Sequence, residues 1–102
     1  MPRIRRVKGR VHRGGKRPLF TWKEETGPRF SVESSGAFRI EIDVNPLQEV
    51  KQQCTVDGAL IELEGSVRSL GKEEEEVFEL RLDAVDQDRY AWFWLEIEFT
   101  AQ

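Results

Sequence analysis

Cys54 and His12 are the only cysteine and the only histidine in the chain, so a thiolate–imidazole nucleophile pair can be built in just one way. Such a pair needs the imidazole within hydrogen-bond reach of the sulfur, which requires the basic N-terminal region to fold onto the segment around Cys54. The simpler expectation is an incidental cysteine and a solvated histidine. Carboxylates number 19, but they recur at alternating positions, as in Glu79 and Asp83 or Glu96 and Glu98. That is the spacing of solubilising charges on strands rather than of a raised-pKa acid–base pair. No Cys/His cluster has zinc-ligand spacing, and Asp83–Asp88 (DAVDQD) lacks the glycine and terminal glutamate of a calcium loop. Gly14-Gly15-Lys16 lacks the first glycine and the strand–helix context of a phosphate loop. The expectation is a protein that is not an enzyme, with no catalytic residue, no metal and no cofactor.

Binding chemistry is better represented. The net charge of −3 hides a division: residues 1–23 carry nine basic residues and no acid, whereas residues 24–102 carry the other seven and all 19 acids. A +9 segment thus precedes a −12 remainder, an asymmetry that speaks of partners rather than of fold. Arg3, Arg5, Arg6, Lys8, Arg10, Arg13, Lys16 and Arg17 fall within the first 17 residues and are the first set of candidate partner-binding residues. Such an arm can neutralise nucleic-acid phosphates. It can also grip an acidic protein surface, including that of an identical subunit, or remain a solvated tail. The acidic remainder opposes a polyanion lying along it, which favours a protein partner. Tyr90, Trp92 and Trp94 are the second set. They recur at every second residue, opposite Phe93, Leu95 and Ile97, and aromatics on the wet side of a sheet tend to be contact surfaces. The alternatives are a strand buried on both faces or a helix covering it. Base stacking on these rings is disfavoured by the flanking Glu96 and Glu98.

The elements that position these residues are strands. Val77–Val85 (VFELRLDAV) and Ala91–Thr100 (AWFWLEIEFT) alternate apolar and polar residues with period two, the mark of an antiparallel pair with one core face. Asp86–Tyr90 is the turn between them. Leu19–Glu24, Arg29–Glu33 and Ala37–Val44 read as three further strands, joined at Thr26-Gly27-Pro28 and Ser34-Ser35-Gly36. Thr55–Ser69 reads as one long strand, with bulges or sharp curvature at Gly58 and Gly65. Asn45-Pro46-Leu47-Gln48 has the N-cap, the first-turn proline and the capping-box glutamine of a helix start, so a short helix is expected over Pro46–Gln53. Helix over Glu73–Val85 is the weaker alternative to strand, because it scatters Phe78, Leu80 and Leu82 around the axis. Pro2–Arg13 alternates imperfectly and is either an edge strand, where basic residues discourage stray pairing, or an extended arm.

The chain is therefore expected to be all-β: a small antiparallel β-sandwich or barrel of six to seven strands with one short helix. Residues 1–18 are expected to form a basic N-terminal arm and residues 19–102 the β domain. The last three strands should form a meander. A curved antiparallel sheet ending in AWFWLEIEF after a turn from FELRLDAV resembles the sheet of SecB-type export chaperones. The resemblance covers the C-terminal part of the chain, is carried by strand alternation, and implies only that sheet. No apolar run approaches the roughly 20 residues of a membrane helix. The arginine-rich start has no apolar stretch behind it, so it is not a secretory signal. Gly9, Gly14, Gly15 and Pro18 spoil the amphipathic helix of a mitochondrial presequence. One cysteine fits a reducing compartment, so a cytoplasmic location or an intracellular assembly is expected. The function these features favour is a non-enzymatic assembly, adaptor or structural subunit of a larger complex, such as a virus or phage particle. It would dock through the basic arm and the aromatic strand face, with no membrane and no small-molecule substrate. Nucleic-acid binding through the arm is the alternative.

Overall fold

The computed structural model describes residues 3–13, 18–25, 27, 29–34, 38–43, 49–56, 58–72 and 74–100. Eight strands and one helical turn follow in order: β1 (Arg3–Arg10), β2 (Phe20–Glu24), β3 (Arg29–Ser34), β4 (Phe38–Asp43), β5 (Glu49–Val56), β6 (Ala59–Lys72), β7 (Glu76–Ala84), α1 (Gln87–Tyr90) and β8 (Trp94–Thr100). All pairings are antiparallel. They build a large sheet in the order β1-β8-β7-β6-β5 and a small sheet in the order β2-β3-β4. The two sheets form a sandwich and do not close into a barrel. The expected meander is β6-β7-β8.

Alternation decides which face of each strand is inside. Leu95, Ile97 and Phe99 of β8, Phe78, Leu80 and Leu82 of β7, and Ile61, Leu63 and Val67 of β6 are buried. From the small sheet Phe30, Val32, Phe38, Ile40 and Ile42 meet them. Phe30 lies over Phe99 with ring centroids 6.1 Å apart, and Phe38 over Phe93 at 5.7 Å. Each such side chain contributes about 1.5–3 kcal/mol on full burial, so this layer dominates stability.

The helix expected over Pro46–Gln53 is not formed where the structure describes it. Residues 49–53 belong to β5, and Pro46–Gln48 lie outside the described residues. A capping box is a local preference, whereas β5 pairs with β6 along its whole length and buries Val50, Cys54 and Val56 in the core. Tertiary pairing overrides a marginal helix signal. β5 is also the strand that raises the count from six or seven to eight. The only described helix is instead α1, a single turn inside the segment expected to be a plain turn. Asp86 caps it, its carboxylate accepting from the Arg89 amide at 3.1 Å.

Thr55–Ser69 is not one long strand but divides between β5 and β6 at Gly58, where the expected sharp curvature takes the form of a hairpin, and no bulge falls at Gly65. Val56 pairs with Ala59, so Gly58 lies in a two-residue hairpin connection, and its φ of 80° is one that other residues avoid. Gly65 stays in register between Val50 and Leu82. A Cβ there would sit 1.8 Å from the Arg81 carbonyl oxygen, so close strand approach explains this glycine. The irregularity falls later, between Ser69 and Gly71.

Residues 3–10 are a strand of the large sheet. Of the two expectations for this segment, the edge strand is the one observed, and the boundary at residue 18 does not separate it from the β fold. Each place where the sheets' edges meet is bridged by a side chain. The Ile4 amide donates to Glu24 Oε1 at 3.1 Å where β1 nears β2, and Gln52 Nε2 donates to the Glu41 carbonyl at 2.6 Å where β4 nears β5. Such contacts occupy backbone groups that an edge strand otherwise offers to other chains. No helix among the described residues is long and apolar enough to cross a membrane.

Candidate functional site: the outer face of the large sheet

The strand register brings the basic N-terminal segment against the acidic face of β8. Three rows of outward side chains run across the sheet. The first is Arg10, Trp94, Asp83, Glu64 and Lys51. The second is Lys8, Glu96, Arg81, Ser66 and Glu49. The third is Arg6, Glu98, Glu79 and Arg68. Each row has as many cations as carboxylates. Directly opposed cross-strand residues are near enough to interact, so the pairing of signs is a property of the register.

Ion pairs follow the rows. Glu96 accepts from Arg81 Nη1 at 2.7 Å and faces Lys8 Nζ at 3.3 Å. Arg81 also reaches Asp83 at 3.0 Å, and its guanidinium stacks 4.6 Å from the centroid of the Trp94 ring. Glu98 and Glu79 oppose one another, but Arg5 and Arg6 flank the first at 3.8 and 3.7 Å, and Arg68 bonds the second at 3.1 Å. Burial pushes the Glu96 carboxyl up, and hydrogen bonds and charge from Arg81 and Lys8 more than offset it, so the group stays below its ordinary value. Arg81 is raised by its bond to Asp83 and, further, by Glu96.

The candidate residues divide accordingly. Arg5, Arg6 and Lys8 keep exposed side chains but face glutamates, and Arg10 donates to the His12 carbonyl at 3.3 Å. Arg3 and Arg13 are exposed, and Lys16 and Arg17 lie outside the described residues. The three aromatics do not form a ladder on one strand. Tyr90 belongs to α1, Trp92 to the connection after it, and only Trp94 to β8. Tyr90 and Trp92 are half-buried, pack against the core and touch edge-on at 6.1 Å. The expectation of a β-strand over Ala91–Thr100 fails at its start because α1 and its exit consume those residues.

Two apolar residues that sequence reasoning passed over share this face. Leu60 is 61% and Val85 48% exposed. Val85 donates its amide to the Glu62 carbonyl, placing it one row beyond Asp83, with Leu60 beyond that on β6. Leu60, Val85 and Trp94 thus form a diagonal across β6, β7 and β8. Both Leu60 and Val85 occupy positions of polar parity in their strands, and that mismatch was the available signal.

Among the described residues, the candidates for covalent chemistry are not brought together. Cys54 is on β5 and His12 follows β1, the opposite edges of the large sheet. The thiol is buried, which pushes it up to about 11. Among the described residues no group of three His, Cys, Asp or Glu is arranged to hold a metal. Comparison of the chain with protein-family models, with curated proteins and with solved structures finds no match in any of the three.

Proposed function

We propose that this protein is a non-enzymatic assembly or adaptor subunit that docks on another protein through the outer face of its large sheet. The observation that supports the reading is the neutrality of three successive rows of that face beside a diagonal of exposed Leu60 and Val85 and half-buried Trp94. A surface with balanced charge and an apolar margin containing a tryptophan beside an arginine has the composition of a protein contact. A nucleic-acid surface instead needs cations left over for phosphates, and here Arg5, Arg6 and Lys8 of β1 are matched by Glu96 and Glu98.

Because β1 is part of the sheet, truncating it tests folding rather than binding, and point substitutions are the proper probe. Light scattering during size-exclusion chromatography should show concentration-dependent association of the intact chain that is lost in the Leu60→Asp, Val85→Asp double variant. Titration with a generic oligonucleotide should stay weak. Tight binding with a steep salt dependence, lost in a folded Arg5→Glu, Arg6→Glu variant, would replace this reading with nucleic-acid binding.

A further inference from the structure

The neutral rows stop at one end of the large sheet. The next row is Arg3, Thr100, Val77 and Gly71, and it carries a cation with no acid. Among the described residues neither Arg3 nor Lys72 forms an ion pair. Glu76, which stands opposite Lys72, instead accepts from the Ser69 hydroxyl at 3.0 Å. In the same row Thr100 is 1% exposed, and its hydroxyl is buried without a hydrogen-bond partner among the described residues. A buried hydroxyl left unmatched costs about 1–3 kcal/mol, and such groups call for an explanation.

Thr100 lines a cleft of about 800 Å³ that supplies one. Arg3 and Arg5 of β1 line it together with Glu98, whose charge Arg5 and Arg6 offset, and so do Lys72, Glu74 and Glu75 of the β6–β7 hairpin. Gly71 adds no side chain between them. Two unpaired cations beside an orphan hydroxyl suit a carboxylate, which accepts bonds from all three. Glu74 and Glu75 oppose a ligand that is only anionic and favour one that also carries a cation.

We propose that this cleft binds a small zwitterion of the amino-acid class. Its carboxylate lies on Arg3, Lys72 and the Thr100 hydroxyl, and its ammonium group on Glu74 and Glu75. The site is independent of the Leu60–Val85–Trp94 surface, so its fate does not decide that of the proposed docking function.

The test is an NMR titration of amide resonances at low salt with glycine, β-alanine and γ-aminobutyrate, alongside propionate and propylamine. Saturable shifts should centre on Gly71, Val77 and Thr100, with one zwitterion binding more tightly than either singly charged probe. Affinity should fall about tenfold in Thr100→Val, which removes one hydrogen bond to a charged group. Arg3→Gln should weaken it similarly, and Lys8→Gln, in the neutral second row, should leave it unchanged. Thr100→Val keeps the side-chain shape, and exposed Arg3→Gln provides a second probe should that variant fold poorly. Absence of saturable shifts, equal affinity in the Thr100→Val or Arg3→Gln variants, or propionate binding as tightly as every zwitterion would overturn the proposal.

Discussion

Glu96→Gln removes the carboxylate at the centre of the second row and tests whether the basic strand is neutralised within the fold. Lys8 lies 3.3 Å from it. At that separation two unit charges attract by about 1 kcal/mol in water and about 5 kcal/mol at an effective dielectric of ~20. The Lys8 and Arg81 side chains are 46% and 42% exposed, so solvent screens both pairs toward the lower figure. Exposed pairs retain about 0.2–1 kcal/mol in double-mutant cycles. Two such partners give an expected loss of about 0.4–2 kcal/mol for Glu96→Gln, and the Lys8–Glu96 coupling alone should be about 0.5 kcal/mol. Urea unfolding of the intact chain, both single variants and Lys8→Gln, Glu96→Gln measures it, and the coupling should shrink in high salt. Acidity gives a second readout. Glu96 has its folded pKa below the ordinary 4.5, so its contribution is full above that value and is lost as pH falls through the folded one. The intact chain should therefore lose stability with acid below about pH 4.5, and Glu96→Gln should lack that part of the slope. No measurable coupling at low salt, with equal acid slopes, would refute the neutralised-strand argument. It would also leave the cations of β1 available to a polyanion.

The two glycines of the β5–β6 hairpin should separate by mechanism. Gly65→Ala drives a Cβ against the Arg81 carbonyl and should cost about 3 kcal/mol or more. Gly58→Ala meets open space and should cost only about 1 kcal/mol, from its positive φ; thermal or urea unfolding of both checks the order. Phe99→Ala removes the ring between Phe30 and Phe78 and should cost about 3–5 kcal/mol by urea unfolding. The Cys54 thiol, buried and raised to about 11, should react with a disulfide reagent at neutral pH only as fast as the chain opens. Rapid labelling under native conditions would contradict its burial.

The inward faces of β4, β7 and β8 were legible in the sequence because alternation is a local property, fixed by the pleat. Phe38, Ile40 and Ile42 or Leu95, Ile97 and Phe99 need no knowledge of their neighbours to declare a side. β5 was hidden by a competing local signal, the Asn45–Gln48 capping box, although Asp57-Gly58 between alternating segments is a hairpin signal in its own right. Tyr90 and Trp92 were misplaced because two-residue spacing looks alike whether a strand continues or breaks into one helical turn. The candidate site could not be read at all from charge totals. A +9 segment before a −12 remainder suggests a free basic arm, yet Lys8 meets Glu96 and Arg6 meets Glu98. That match is made by residues some 90 positions apart in the chain, and it depends on register, where a one-residue slip turns every side chain to the other face. Sequence by itself determined a β protein, its alternating core residues and the stock of charges. Only the tertiary structure decided which charges meet and which, like Arg3 beside Thr100, are left over, because antiparallel pairing of the chain's two ends is a long-range event that no local pattern encodes.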